Sequence, residues 1–356
     1  MDSQRHLTDA SFFITLPVLP PAVAGTFSRE TQPSLEYSGR VGYWMIYRGL
    51  LLCILAGSLA AAQECTRIVP INVVDRHTGH QIDPLDSQQL RAHTGSTILP
   101  ISGLEKFNTG RVLVLIDLSG SMQGEAAVAK DLGSVLVQSA PANARIAFGF
   151  FHDKIVISPG FTGDPKDLDP LIEQARQTPA DGKTLLLDAI HQGLQLFHQP
   201  GPGDAIVVIT DGGDNVSKTT RHSVLEELRA AGVRFYSLLM AHYSIIPEDF
   251  DGENWLDEAA RDTGGETIYD IRTTNPALRT NPRWKMGMND ALLIFWQGTI
   301  LHEYSISLKV PAEIRTPRKW KLEIADKNDK RLKHAAIYYP RYLAPCGTLQ
   351  PDARSH

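Results

Sequence analysis

The chain has 356 residues, of which 42% are hydrophobic and 21% charged, and a formal net charge of −5. That apolar share excludes an intrinsically disordered chain, and the slight acidic excess gives no sign of a nucleic-acid binder, which usually carries a basic face or stripe. The length allows one large domain or two modest ones.

Residues 1–44 show no clear periodicity and contain Pro17, Pro20, Pro21 and Pro33. The segment after them has the three-part layout of a secretory signal peptide. Arg48 precedes an apolar run from Leu50 to Ala56, and small residues follow to Ala60-Ala61-Ala62. The expectation is a signal peptide over 45–62, cleaved after Ala62, with a buried core helix as the plainer alternative. A signal belongs at a start site, so translation is expected to begin at Met45. Residues 1–44 are then a mis-called start or, if translated, disordered. The apolar run is short of the roughly 20 residues of a membrane span, so no stable span is expected. Cys53 does not read as a lipid attachment site, because bulky Leu51 and Leu52 stand where small residues are required. The expected location is exported, periplasmic or secreted. Cys65 and Cys346 remain in the mature chain, and in an oxidising compartment they either pair or stay as free thiols.

From 63 to 107 the signals are β-like. Ile68, Val69, Ile71 and Val73 form a period-2 strand over 67–75, closed by Asp75 and a turn at Thr78-Gly79. From 108 to 300 strand and helix signals alternate. Arg111–Leu118 carries a continuous apolar run of the kind found in strands covered on both faces. Val128, Leu132, Val135 and Ser139, with Leu136 beside them, mark one face of a helix over 125–139. Strands are read at Arg145–Phe151 and Lys154–Ile157, joined at His152-Asp153. A helix is read at Asp167–Gln177, and another on the face Leu187, Ile190, Leu194 and Phe197. Ala205–Thr210 is a second buried strand. Val224, Leu225 and Leu228 mark a helix ending near Gly232, and Val233–Met240 is a third buried strand. A short helix at Trp255–Asp262, a strand at Glu266–Tyr269 and a last helix over 286–300 complete the series. This rhythm predicts an α/β fold: an open, mainly parallel, doubly wound sheet with helices on both faces.

From 301 to 346 the pattern returns to antiparallel β, with Tyr304, Ile306 and Leu308 alternating, then Trp320, Leu322 and Ile324, a polar turn at Asp326–Asp329, and a strand at Ile337-Tyr338-Tyr339. Neither flank alone supplies a comfortable core, so both are expected to pair into one small β-sandwich with the α/β domain inserted between them. A Cys65–Cys346 bond would staple its ends. Residues 347–356 read as a tail.

The chemistry concentrates on three loops. Asp117-Leu118-Ser119-Gly120-Ser121 follows the first buried strand, Thr184 opens a helix after Ala180-Asp181-Gly182-Lys183, and Asp211 follows the strand Ala205–Thr210. In a parallel sheet all three lie at the carboxyl ends of strands, where open α/β folds bind ligands. Three hydroxyls and two carboxylates, without thiol or imidazole, favour a hard cation: Mg²⁺, with Mn²⁺ or Ca²⁺ as alternatives, over Zn²⁺. Asp-x-Ser-x-Ser by itself would equally serve as a helix N-cap; Thr184 and Asp211 are what separate the two readings. Asp214 and Asn215 read as solvated loop residues. Lys183 reads as a surface charge: Gly182-Lys183-Thr184 mimics the tail of a phosphate-binding loop, but Gln177 stands where its first glycine belongs. His302-Glu303 begins like a zinc-protease motif, but Ile306 replaces its second histidine. His152 and His222 read as surface or structural residues.

Asp117, Ser119, Ser121, Thr184 and Asp211 resemble, in order and strand context, the metal-ion-dependent adhesion site (MIDAS) of von Willebrand factor A (VWFA) domains. The wider chain, roughly 67–345, is similar to the VWFA-related family known from Acidobacteria. That match includes Val73-Val74-Asp75 with Thr78-Gly79, Tyr304-Ser305-Ile306, and Ile337-Tyr338-Tyr339-Pro340. The resemblance implies hydroxyl ligation by Ser119, Ser121 and Thr184, and carboxylates at Asp117 and Asp211 that ligate directly or through water. It also implies coupling of metal occupancy to the last helix, 286–300. The function it implies is metal-dependent binding of a protein ligand that presents Asp or Glu, an adhesion or scaffold role without catalysis. A metal-assisted hydrolase is the first alternative, although the motif loops offer no base or nucleophile besides Lys183. A structural envelope subunit whose metal only stabilises the fold is the second.

Overall fold

The computed structural model describes residues 64–106, 110–201, 203–240, 247–269, 300, 304–326 and 328–346. The expected signal peptide, residues 1–44 and, apart from Ile300, the helix expected at 286–300 lie outside the described residues.

The chain enters through β1 (Cys65–Asp75), a hairpin of β2 (Leu90–Thr94) and β3 (Thr97–Leu99), and β4 (Ile101–Lys106). The α/β region follows with β5 (Arg111–Asp117), α1 (Ala126–Gln138), β6 (Arg145–Phe151), β7 (Ile155–Ile157), α2 (Asp169–Gln177), α3 (Leu186–Gln195), β8 (Ala205–Thr210), α4 (Arg221–Ala231), β9 (Arg234–Leu239), α5 (Pro247–Thr263) and β10 (Thr267–Tyr269). It leaves through β11 (Tyr304–Val310), β12 (Arg318–Lys319), β13 (Lys321–Ile324), β14 (Ala335–Tyr338) and β15 (Tyr342–Leu343).

Six strands form the central sheet in the order β10-β9-β8-β5-β6-β7. All neighbours are parallel except β6 and β7, which pair antiparallel. The apolar run of β5 divides between two cores because successive side chains point to opposite faces. Val112, Val114 and Ile116 enter the core lined by α1 and α2, while Leu113 and Leu115 enter the core lined by α3, α4 and α5. The mixed α/β architecture read from the sequence is thus the observed one.

The face expected for α1 is buried only in part: Val128, Leu132 and Leu136 pack against the core, but Val135 does not. Ala126, Ala129, Gly133, Leu136 and Val137 face the core, and Val135 is 38% exposed. Small residues win here because the helix lies very close to the sheet. A Cβ on Gly133 would stand 2.3 Å from Cδ1 of Ile116. The helix expected at Trp255–Asp262 is longer, spanning Pro247–Thr263. Gly232, at φ 67°, closes α4 in the left-handed conformation.

The flanking strands build antiparallel sheets. One has the order β14-β1-β11-β4, a second β13-β2-β3, and β12 pairs with β15. Strands from both ends of the chain therefore meet directly, with Val69 opposite Ile306 and Val73 opposite Ile337. They share one core containing Ile71, Leu99, Ile306, Leu308 and Leu322. The alternation expected for β1 does not appear: Val69–Val74 are all buried, because this inner strand is covered on both faces. Cys65 and Cys346 form a disulfide across the ends of this layer. The flank rests on the α/β region through Asp262, whose carbonyl accepts from Arg341 N at 3.1 Å, and through the Arg229 guanidinium, 4.3 Å from the Tyr342 ring centroid.

Candidate metal centre

The order of the central sheet reverses at β5. The chain passes from β5 to β6 on one side, and later returns to place β8 on the other. Such a switch point leaves a crevice at the carboxyl ends of the strands. Asp117 ends β5 there. In the pairing of β5 with β8, Ile116 lies opposite Ile209, so Asp117 reaches Thr210 and Asp211 without any long loop.

Hydrogen bonds close the three motif loops into a ring. Gly120 N donates to Gly182 O at 3.1 Å, and Asp181 N donates to Leu118 O at 3.0 Å, joining the first loop to the second. Asn215 N and Val216 N donate to Thr184 O at 3.3 and 3.4 Å, and Thr184 N donates to Asn215 Oδ1 at 3.0 Å, joining the second to the third. Thr210 Oγ1 donates to Asp117 Oδ2 at 2.7 Å, joining the third back to the first. Asp117 Oδ1 meanwhile accepts from Ser119 N at 2.9 Å. Asp211 Oδ1 accepts from Gly213 N at 3.1 Å. All of these link backbone groups, motif side chains, and the side chains of Thr210 and Asn215, so the loops hold one another by polar groups of the rim.

Asp117 is fully buried, Asp211 is 6% exposed and Thr184 is 2% exposed; Ser119 is buried, whereas Ser121 opens to solvent. Burial, and then the charge of Asp211, push the Asp117 carboxyl up from 3.8 to about 7. Among the described residues no Lys, Arg or His bonds either carboxylate. Two buried carboxylates without a cationic partner are costly, and a bound cation is the economical remedy. The hydroxyls fit one as well. Ser119 Oγ and Ser121 Oγ stand 3.1 Å apart, against about 3.0 Å between neighbouring oxygens around Mg²⁺ at 2.0–2.1 Å.

Asp214 is less solvated than the sequence suggested, whereas Asn215 is exposed as expected. Asp214 Oδ1 accepts from Ser217 Oγ at 2.6 Å and Leu187 N at 3.3 Å, and burial raises its pKa. Asn215, though exposed, fixes Thr184 from both sides. Asp188 adds a brace, accepting from the backbone of Lys218 and Thr219. The roles of Thr210 and Asn215 went unread because their partners lie 93 and 31 residues away in the chain. Lys183 and His222 are exposed. His152 is half-buried and pairs with Asp153.

The family profile described as VWA domain containing CoxE-like protein matches residues 59–244, just over half of the chain. Among solved structures, an aerotolerance-related membrane protein from Bacteroides fragilis is similar at 22% identity and TM-score 0.36, over 49% of this chain and 99% of its own. BatB from Bacteroides thetaiotaomicron is similar at 21% identity and TM-score 0.35, over 49% and 96%. The VWA domain of SpRpn10 is similar at 12% identity and TM-score 0.36, over 48% and 92%. No curated protein matches the chain.

Proposed function

Because the chain belongs to the family of VWA domain containing CoxE-like proteins, we propose that it is an exported binding protein that uses a divalent cation, Mg²⁺ foremost, to capture an acidic group of a protein partner. The observation that carries this reading is the closed ring of three loops around two buried, uncompensated carboxylates and the Ser119–Ser121 hydroxyl pair. Ser119, Ser121 and Thr184 would offer neutral oxygens to the ion, and Asp117 and Asp211 its counter-charge. A bound Mg²⁺ supplies a hard electrophilic point that accepts an Asp or Glu carboxylate.

The residues of the chain do the remaining work. Ser119 N and Thr210 Oγ1 pin both oxygens of Asp117, so the carboxylate cannot swing away to meet solvent. Asn215 fixes the Thr184 backbone. A rim held in this way needs little reordering on binding, which preserves affinity. The Cys65–Cys346 disulfide supports export to an oxidising compartment. No helix among the described residues is long and apolar enough to cross a membrane.

Calorimetric titration of Mg²⁺ and Mn²⁺ into the wild type, Asp117→Ala and Asp211→Ala tests the site. One saturable event in the wild type, lost in both variants, is expected. A pull-down from envelope and secreted fractions, in Mg²⁺ and in chelator, then tests the binding role. A partner retained equally with and without the ion, or by wild type and Asp117→Ala alike, would defeat the adhesion reading. Metal binding without any metal-dependent partner would favour a purely structural ion.

A further inference from the structure

A second constellation lies in the flanking β layer, on groups that the rim does not use. The turn after β1 is tightly held. Asp75 Oδ1 accepts from His77 N at 2.8 Å and from Thr78 N at 2.9 Å. Gly79 N closes on Asp75 O at 2.8 Å, with Gly79 at φ 73°. Across from this turn, Arg76 N donates to His334 O at 2.9 Å, just ahead of β14. Two exposed histidines, His77 and His334, are thereby anchored by their backbones on adjoining segments. Their ring centroids stand 4.6 Å apart, with the planes at 71°.

Metal geometry gives that spacing a meaning. An imidazole nitrogen about 2.0–2.1 Å from an ion puts its ring centroid about 3.2 Å from it. Two such rings at a right angle stand about 4.5 Å apart, and at the tetrahedral angle about 5.2 Å. With one nitrogen of each ring turned to a shared ion, the 4.6 Å separation corresponds to a right angle at that ion, the geometry Cu²⁺ and Ni²⁺ prefer with nitrogen and oxygen donors. We propose that His77 and His334 form a two-imidazole site for a divalent transition-metal ion of the Cu²⁺ or Ni²⁺ class, completed by water. Among the described residues no three His, Cys, Asp or Glu side chains converge, so the pair is a two-ligand chelate. The positive charges of Arg76 and Lys333, next to the pair in sequence, lower its affinity. Such a site exchanges its ion readily, and its nitrogen donors separate it chemically from the all-oxygen rim.

The test is calorimetric titration of Ni²⁺ into the full chain, comparing wild type, His77→Ala, His334→Ala, the double variant, and His80→Ala as a neighbour on the same turn. The tightest event should weaken by on the order of tenfold to a hundredfold in each single variant, because a chelate is lost. The double variant should lose no more than either single one, and His80→Ala should match wild type. Asp117→Ala should also leave this event unchanged, whatever becomes of the rim. All substituted histidines are exposed, so unchanged melting curves will verify folding. His77→Ala and His334→Ala titrating like wild type, or their losses adding independently, would overturn the proposal.

Discussion

Replacing Asp117 with Asn should make the metal-free protein more stable, although it destroys the candidate site. Asp117 is fully buried, and its carboxyl is pushed from 3.8 to about 7 by burial and by Asp211. A group whose folded pKa lies above its unfolded one holds more protons in the folded state between the two values. Stability is then present at low pH and falls as pH rises through that window. The full displacement corresponds to about 4 kcal/mol, at 1.36 kcal/mol per pH unit. Between pH 5 and pH 8 the linkage relation gives a loss of roughly 2–3 kcal/mol from this group. Asn keeps the shape and an acceptor for Ser119 N, and its amide can donate to Thr210 Oγ1, but it carries no charge. Urea unfolding in chelator at pH 5 and at pH 8 measures both terms. The variant should lose roughly 2–3 kcal/mol less than wild type across that range, and at pH 8 it should be the more stable by up to about 4 kcal/mol. Saturating Mg²⁺ should stabilise the wild type alone. Equal pH dependence in the two proteins, or a variant weaker than wild type at pH 8 in chelator, would refute the idea of an uncompensated carboxylate pair.

Three further outcomes test the scaffold. Gly133→Ala sets a Cβ 2.3 Å from Cδ1 of Ile116; overpacking of about 1–3 kcal/mol should outweigh the roughly 1 kcal/mol gained in helix propensity. Adding Ile116→Val should restore most of the difference in chemical denaturation. Arg229→Ala strips Asp262 of its ion pair while leaving that carboxylate 6% exposed, and should cost about 3–5 kcal/mol, read as a lower urea midpoint. Replacing Cys65 and Cys346 with Ala opens a loop that spans 281 residues and should cost about 2–5 kcal/mol, measured against the wild type under non-reducing conditions.

The central sheet was legible because both-face burial leaves a mark in one dimension: Val112–Ile116 and Ala205–Ile209 are apolar throughout, and no alternating strand would be. The motif residues were legible for a related reason, since each follows a strand or opens a helix and carries oxygen in a place where a loop would tolerate anything. The face of α1 was legible only in part, because apolarity was read as burial. Val135 is the more hydrophobic residue, but Gly133 is the one that allows the helix axis to approach Ile116. In β1 the expected alternation failed because residues of its second face are covered as well, which depends on neighbours far away in sequence. The hairpin Leu90–Leu99 escaped notice because its strands are short: the alternation of Leu90–Thr94 holds only Leu90 and Ala92 as apolar residues, and Ile98 of the second strand is exposed.

The residues that hold the rim together were the hardest to read, and the reason bears on how the site works. Asp117 and Ser119 advertise themselves through local spacing, but Thr210 touches Asp117 only because β8 lies beside β5. Asn215 matters only because the loop after β8 folds back on Thr184. These contacts span 93 and 31 residues. A local motif can therefore supply the donors, whereas their mutual placement belongs to the sheet. Loss of Asn215 or Thr210 should then weaken Mg²⁺ binding without removing a single candidate ligand. Asn215→Ala is the cleaner of the two, because the side chain is exposed and its deletion leaves no buried cavity. A calorimetric Mg²⁺ affinity for Asn215→Ala equal to that of wild type would mean that Thr184 needs no such bracing, and that the ring of hydrogen bonds is incidental to the ion.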